Sequence, residues 1–363
     1  FWMVPGSHNN SWLHRFAIFT ALATLFLIGM GGLVTSREVG MAVPDWPTTY
    51  GYNMFLVPFD RWIGVSGVFE EHFHRLVATF VGLLTTILMV WLWLKERRKW
   101  VCYLGVSAFL LVCLQGLLGG LRVTEINQNL GLVHGTLAQL FLVLICGIVL
   151  VTSGWWNRVK ASESDRVGFM ALKGALVAVI CLVFVQLLLG ATMRHQHAGL
   201  AVWDFPLAHG QVWPAMNEDA VAGYNEKRVK TVAVADIAPW HVGLHMVHRL
   251  GAVATLALVI AFAVKARRQL GQAHGFTKMG FVLLAMILAQ AGMGVWTVWS
   301  NKAADVATGH VVLGAACLAL ASMLLLAAKR CAFVAESANA AERLAKRSDD
   351  EAIDPGQTAA VAV

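Results

Sequence analysis

Gly40-Met-Ala-Val-Pro-Asp-Trp-Pro47 aligns without a gap on Gly199-Leu-Ala-Val-Trp-Asp-Phe-Pro206, an offset of 159, and Gly51 meets Gly210 at the same offset. Further along, His74-Arg75-Leu76 matches His248-Arg249-Leu250 at an offset of 174. Gln115 and Gly119 match Gln290 and Gly294 at 175, and His134 matches His310 at 176. The chain is therefore a duplication. Most of the growth in offset falls between Gly210 and His248, so the second copy carries the longer loop there.

What is duplicated follows from composition. Of 363 residues, 58% are hydrophobic and only 13% charged, and the mean hydropathy is +0.65; an ordinary soluble domain carries roughly 25% charged residues. A soluble globular fold is excluded. Eight apolar runs stand out, at about 16–35, 72–94, 101–121, 129–152, 169–192, 242–264, 277–299 and 306–328. Each is long enough to cross a bilayer, and backbone hydrogen bonding in lipid makes each a helix. The predicted fold is an all-α polytopic membrane protein, its eight transmembrane helices forming two pseudo-symmetric four-helix bundles. Residues 1–160 form the first bundle, 161–335 the second, and 336–363, Ala-rich, charged and unpatterned, a disordered cytoplasmic tail. An even number of helices per copy gives both copies the same orientation, related by a two-fold along the membrane normal.

Charge sets the orientation. Lys95, Arg97, Arg98 and Lys99 follow the second run, Arg158, Lys160 and Arg166 the fourth, and Lys265, Arg267 and Arg268 the sixth. By the positive-inside rule these loops and both termini are cytoplasmic. The net charge of +7 is what topology requires, and nucleic acid is not an expected partner. The first run is too long for a cleavable signal, and no Arg-rich amphipathic presequence is visible, which points to a bacterial plasma membrane. Cys102, Cys113, Cys146, Cys181, Cys317 and Cys331 form no C-x-x-C or zinc-type pair and are expected as small buried hydrophobes.

Four histidines recur at matched positions, His74, His134, His248 and His310, each a few residues into a helix that enters from the extracytoplasmic side. Ionisable residues inside a membrane are expensive and are functional candidates. One histidine from each of two neighbouring helices supplies both axial ligands of a haem. Helix-bridging hydrogen bonds would explain a single histidine, but four at repeat-matched sites favour two ligand pairs. Neither half repeats a third ligand suited to zinc or copper.

The halves differ at one place. Glu71 lies three residues before His74, and its counterpart is His245. A carboxylate near a reacting carbon can act as a general base or steady a developing cation, which makes the first half the chemical one; the simpler role for Glu71 is an ion pair with Arg75, and Glu70 could pair with His74. Arg75 and Arg249 either hold haem propionates or snorkel to headgroups. Asp45, Trp46, Asp204 and Phe205 are expected to lid the sites. His195, His197 and His209 lie near Asp204 in the longer loop as solvated histidines or, less simply, a metal site.

Taken together, Glu71-x-x-His74-Arg75, His134, His248-Arg249, His310, Pro44-Asp45-Trp46-Pro47 and the four-plus-four repeat resemble the haem A synthase family, over about residues 12–330. The resemblance implies that His248 and His310, with Arg249 beside them, ligate a haem b cofactor. It implies that His74 and His134, with Arg75, flank the substrate haem O, whose C8 methyl is oxidised to a formyl group by successive hydroxylations to give haem A for terminal oxidases. Glu71 matches the family's essential carboxylate. A haem O synthase as donor and a membrane electron acceptor are implied partners. Some bacterial members carry a cysteine pair in the loop after the first helix; this chain has none and resembles the cysteine-free branch that includes mitochondrial relatives. A di-haem electron-transfer cytochrome would use the same histidines, but has no need of Glu71. A transporter of two parallel repeats would instead place its polar site near the midplane.

Overall fold

The computed structural model describes residues 10–227 and 236–353. Among them the chain is almost wholly helical: α1 Ser11–Ser36, α2 Val68–Lys95, α3 Lys99–Thr124, α4 Gln128–Thr152, the short α5 Gly154–Arg158, α6 Glu163–His195, α7 Glu218–Lys227, α8 Pro239–Leu270, α9 Gly275–Trp299 and α10 Ala304–Ile353. Eight of these, all but α5 and α7, are long and apolar enough to cross a membrane, and the protein is a multi-pass membrane protein. Helix starts follow local chemistry. Asn10 accepts the Leu13 amide at the head of α1, Asn127 caps α4 through the Asn129 amide, and Pro239 occupies the first turn of α8, where a missing N–H costs nothing.

The helices close into two rings. In the first, α1 packs on α2, α2 on α3, α3 on α4, and α4 back on α1; in the second, α6, α8, α9 and α10 pair in the same cyclic order. The rings meet through α1 with α10, α4 with α6, and α4 with α10. Under the correspondence of α1 to α6 and α4 to α10, the first two contacts exchange and the third maps onto itself, the pattern a two-fold axis between the bundles generates. Leu88, Leu92, Ile145 and Ile148 lie at the heart of the first bundle, and Leu172, Leu176, Phe262 and Leu283 at that of the second. Between bundles the packing relies on small residues, as lipid-embedded helices do when backbones approach closely. A methyl added at Gly32 would lie 3.1 Å from Thr308, and one at Gly29 would lie 3.4 Å from Val312.

Two expectations need adjusting. The stretch from Glu336, expected as a tail, continues α10 as far as Ile353, because its Ala-rich composition favours helix once a helix is already propagating. Cys113 and Cys181 are exposed, not buried: both lie on spanning helices, where an outward-facing thiol meets lipid as readily as a core. The described parts of the longer loop pack as well, Val202, Val221 and Ile237 joining Met246 of α8 in a small buried core.

Candidate haem-binding site

Both Asp-aromatic-Pro loops have one architecture. Asp45 accepts the amides of Tyr50 at 2.7 Å and Gly51 at 2.8 Å, and Asp204 accepts those of His209 at 2.7 Å and Gly210 at 2.8 Å. The two turns share the left-handed pair Tyr50-Gly51 and His209-Gly210, the backbone of a tight hairpin turn, and cis peptides at Trp46–Pro47 and Phe205–Pro206. Burial works against the charge on Asp45, but the donors on Gly51, Thr48 and Tyr50 outweigh it and hold the carboxyl below its ordinary value. Asp204 is likewise lowered, by Gly210 and His209 against its own burial.

Each loop is latched to the helix that carries the histidine. Arg75 donates to the carbonyls of Asp45 at 2.7 Å, Thr48 at 3.1 Å and Val43 at 2.9 Å. Arg249 donates to those of Asp204 at 2.7 Å, Leu207 at 3.0 Å and Val202 at 3.4 Å. These are the same carbonyls under the repeat. The guanidiniums therefore hold the lids, a role that neither propionate binding nor snorkelling anticipated. Glu71 pairs with Arg75 at 2.6 Å and accepts the Val43 amide at 2.9 Å. His245 accepts the Val202 amide through Nδ1 at 3.3 Å. Glu71 and His245 thus do one structural job with different charge. Glu70 does not reach His74; it pairs with Arg37 and accepts the Gly67 amide at 2.8 Å.

The four histidines are placed alike. His74, His134 and His310 each lie six residues after the first residue of their helix and His248 nine, all within the end nearest the lids. His74 and His134 are near enough for their charges to interact, as are His248 and His310. Every ring lies against a glycine on a neighbouring helix. A methyl on Gly31 would lie 3.0 Å from His74 and one on Gly119 3.4 Å from His134; the matching distances for Gly190 to His248 and Gly294 to His310 are 3.6 and 3.3 Å. The repeat marks Gly119 and Gly294 at the 175 offset, and Gly31 and Gly190 share the 159 offset in the same way.

Ring nitrogens decide what the pairs can hold. The Nδ1 atoms of His74, His248 and His310 are buried without a partner. Gln290 donates to the His310 carbonyl at 2.9 Å. Its counterpart Gln115, in the orientation that satisfies both amide atoms, donates to the His134 carbonyl at 3.2 Å and also to His134 Nδ1 at 2.9 Å. In the second half, then, both Nδ1 atoms are without a partner among the described residues, whereas in the first one of the two is engaged by Gln115; an axial ligand needs only one nitrogen of each ring. The residues fit a haem between the members of each pair, with unspent imidazole nitrogens and no competing protein ligand.

The longer loop's histidines go elsewhere. His209 stacks on Tyr224 at 3.6 Å between ring centres and bonds the Ala201 carbonyl at 2.9 Å, and burial lowers its pKa. His197 faces Glu38 at 3.2 Å. Among the described residues no group of three or more His, Cys, Asp or Glu side chains is arranged to hold a metal ion.

Fold and site together define a class: a polytopic membrane protein of two pseudo-equivalent four-helix bundles, each carrying a pair of neighbouring histidines beside a loop latched to its helix by an arginine. The family model for cytochrome oxidase assembly proteins, COX15-CtaA, matches residues 65–323, and the chain belongs to that family. It is similar to a haem A synthase of Halalkalibacterium halodurans, 24% identical over 310 residues that cover 83% of this chain and 93% of the relative. A haem A synthase of Sphingopyxis alaskensis is 26% identical over 347 residues, 86% and 91% of the two chains, and one of Bacillus licheniformis is 26% identical over 305 residues, 83% and 91%.

Proposed function

We propose that this chain is an oxidoreductase that converts haem O to haem A by oxidising the C8 methyl to a formyl group, the first bundle holding the substrate and the second a haem b. The observation that carries this is the exchange of Glu71 for His245 at positions with the same backbone contact in two otherwise matched sites. His248 and His310 hold the haem b, which when bound supplies one-electron redox chemistry. His74 and His134 flank the substrate. Glu71, paired with Arg75, accepts a proton or steadies positive charge developing beside His74. Arg75 and Arg249 act through the lids, fixing them over each site. Orientation follows the basic loops: both termini cytoplasmic, lids and haem sites toward the extracytoplasmic face. A haem O synthase supplies the substrate, water supplies the formyl oxygen, and a membrane acceptor takes the electrons that the oxidation releases.

The test is mass spectrometry of the haems extracted from the purified protein after expression in cells that make haem O. Haem b accompanied by haem A or a hydroxylated haem O is the expected result. Haem b alone would transfer the reading to a di-haem electron-transfer cytochrome, and no haem would overturn both.

A further inference from the structure

We propose that Arg122 is the anion anchor of the first bundle, binding a carboxylate of the substrate macrocycle beside the His74–His134 pair. This rests on the assignment of the first bundle to the substrate. Arg122 lies in the last turn of α3, and its charge reaches His74, His134 and Glu71. Glu71 is already committed to Arg75 and the Val43 amide, so Arg122 is left over. Its Nε is buried without a partner, and its guanidinium forms no hydrogen bond among the described residues. A half-buried guanidinium whose Nε has no acceptor costs stability that a bound anion repays.

Space has been made for it. A methyl on Gly40 would lie 2.8 Å from one Arg122 Nη, and one on Gly131 3.0 Å from its Nε and 2.7 Å from the His195 ring. At the matching offsets in the second bundle Thr297 replaces Arg122 and Ala307 replaces Gly131, and the arginine whose charge does reach that pair, Arg194, already donates to the Gly32 carbonyl and the Ser36 hydroxyl. Thr297 turns its hydroxyl to the Met293 carbonyl at 2.8 Å. A helix-end arginine serving only α3 would be expected in α9 as well. The arrangement instead gives the first bundle a fixed cation at the rim of its histidine pair, suited to an acidic side chain of a porphyrin and setting which edge of the ring faces the lid.

The experiment compares haem O with its neutral dimethyl ester on the full-length protein and on Arg122→Thr, with haem b content as an internal measure of folding. The unmodified chain should prefer the free acid. Arg122→Thr should raise KM for the acid by about ten- to a hundredfold, more than it lowers kcat, and abolish the preference while haem b stays bound. Gly131→Ala, which keeps the charge but closes the space, should lose part of the preference. A retained preference in Arg122→Thr, or none in the unmodified chain, overturns the anchor while haem A formation stands. Should Arg122→Thr lose haem b as well, Gly131→Ala decides: an unaltered preference there overturns the anchor. If the unmodified chain makes no haem A, the functional reading fails, and the anchor with it.

Discussion

The two bundles share helix order, lid architecture, latch and histidine placement, yet they diverge in the few residues around the histidine pairs. In the second bundle both rings have free nitrogens, the side chain under the lid is His245 and the end of α9 carries Thr297. In the first, Gln115 engages His134, Glu71 sits under the lid and Arg122 reaches the pair. A frame that can hold a redox group has been kept in one copy and charged in the other. The comparison teaches that the charged and polar groups beside the histidine pairs, more than the helix geometry, distinguish the two copies, and the proposed division of labour rests on that difference.

The comparison breaks most readily at the ligands. His248→Ala or His310→Ala should strip haem b from the second bundle, with the resident haem absorbance falling by tenfold or more, on the order of the losses that even supporting residues of metal sites cause. Absorbance equal to the parent protein would remove that histidine from the ligand set. Next in size is Glu71→Ala, which should cut haem A formation by about 10²–10⁴ while leaving haem b in place. Product at the parental rate would remove the carboxylate from the chemistry and return the two halves to equivalence.

Smaller effects sharpen the contrast. Gly31→Ala should perturb its bundle more than Gly190→Ala, because the added methyl would lie 3.0 Å from His74 but 3.6 Å from His248; substrate-haem content against haem b content reads the difference. Smallest is the acid response of the lids. Asp45 and Asp204 have folded-state pKa values below their ordinary one, so each stabilises the fold above the unfolded value and loses that contribution as pH falls through the lowered one. Asp45→Asn and Asp204→Asn should flatten the melting temperature between pH 5 and pH 3 by similar small amounts, and an unchanged acid slope would show that the lids do not contribute to it.

Much of this was legible in the sequence because membrane and repeat constraints are strong. Twenty apolar residues in lipid leave the backbone no choice but helix, and the offsets from Gly40 to His134 locate the equivalent positions in the second copy. What stayed hidden was direction. Nothing in the spacing of Arg75 and Arg249 says that their donors turn back to loop carbonyls and not outward to an anion. Nor does it say that Glu71 and His245 both meet a valine amide. Arg122 was passed over because it has no counterpart: a search for what the halves share is blind to what only one of them has. Gly119 and Gly294 stand out in the repeat, but their role does not, since the meaning of a glycine behind a ring lies in the side chain it makes room for.

The latches grip carbonyl oxygens, which every residue possesses. Thr48 and Leu207 serve Arg75 and Arg249 equally well, so at the gripped positions the side chain is irrelevant to the latch. Away from the aspartate and glycine that shape each turn, the side chains of these loops are consequently free to change while the backbone stays shut, so that evolution can rewrite the face of the loop without rebuilding its hinge.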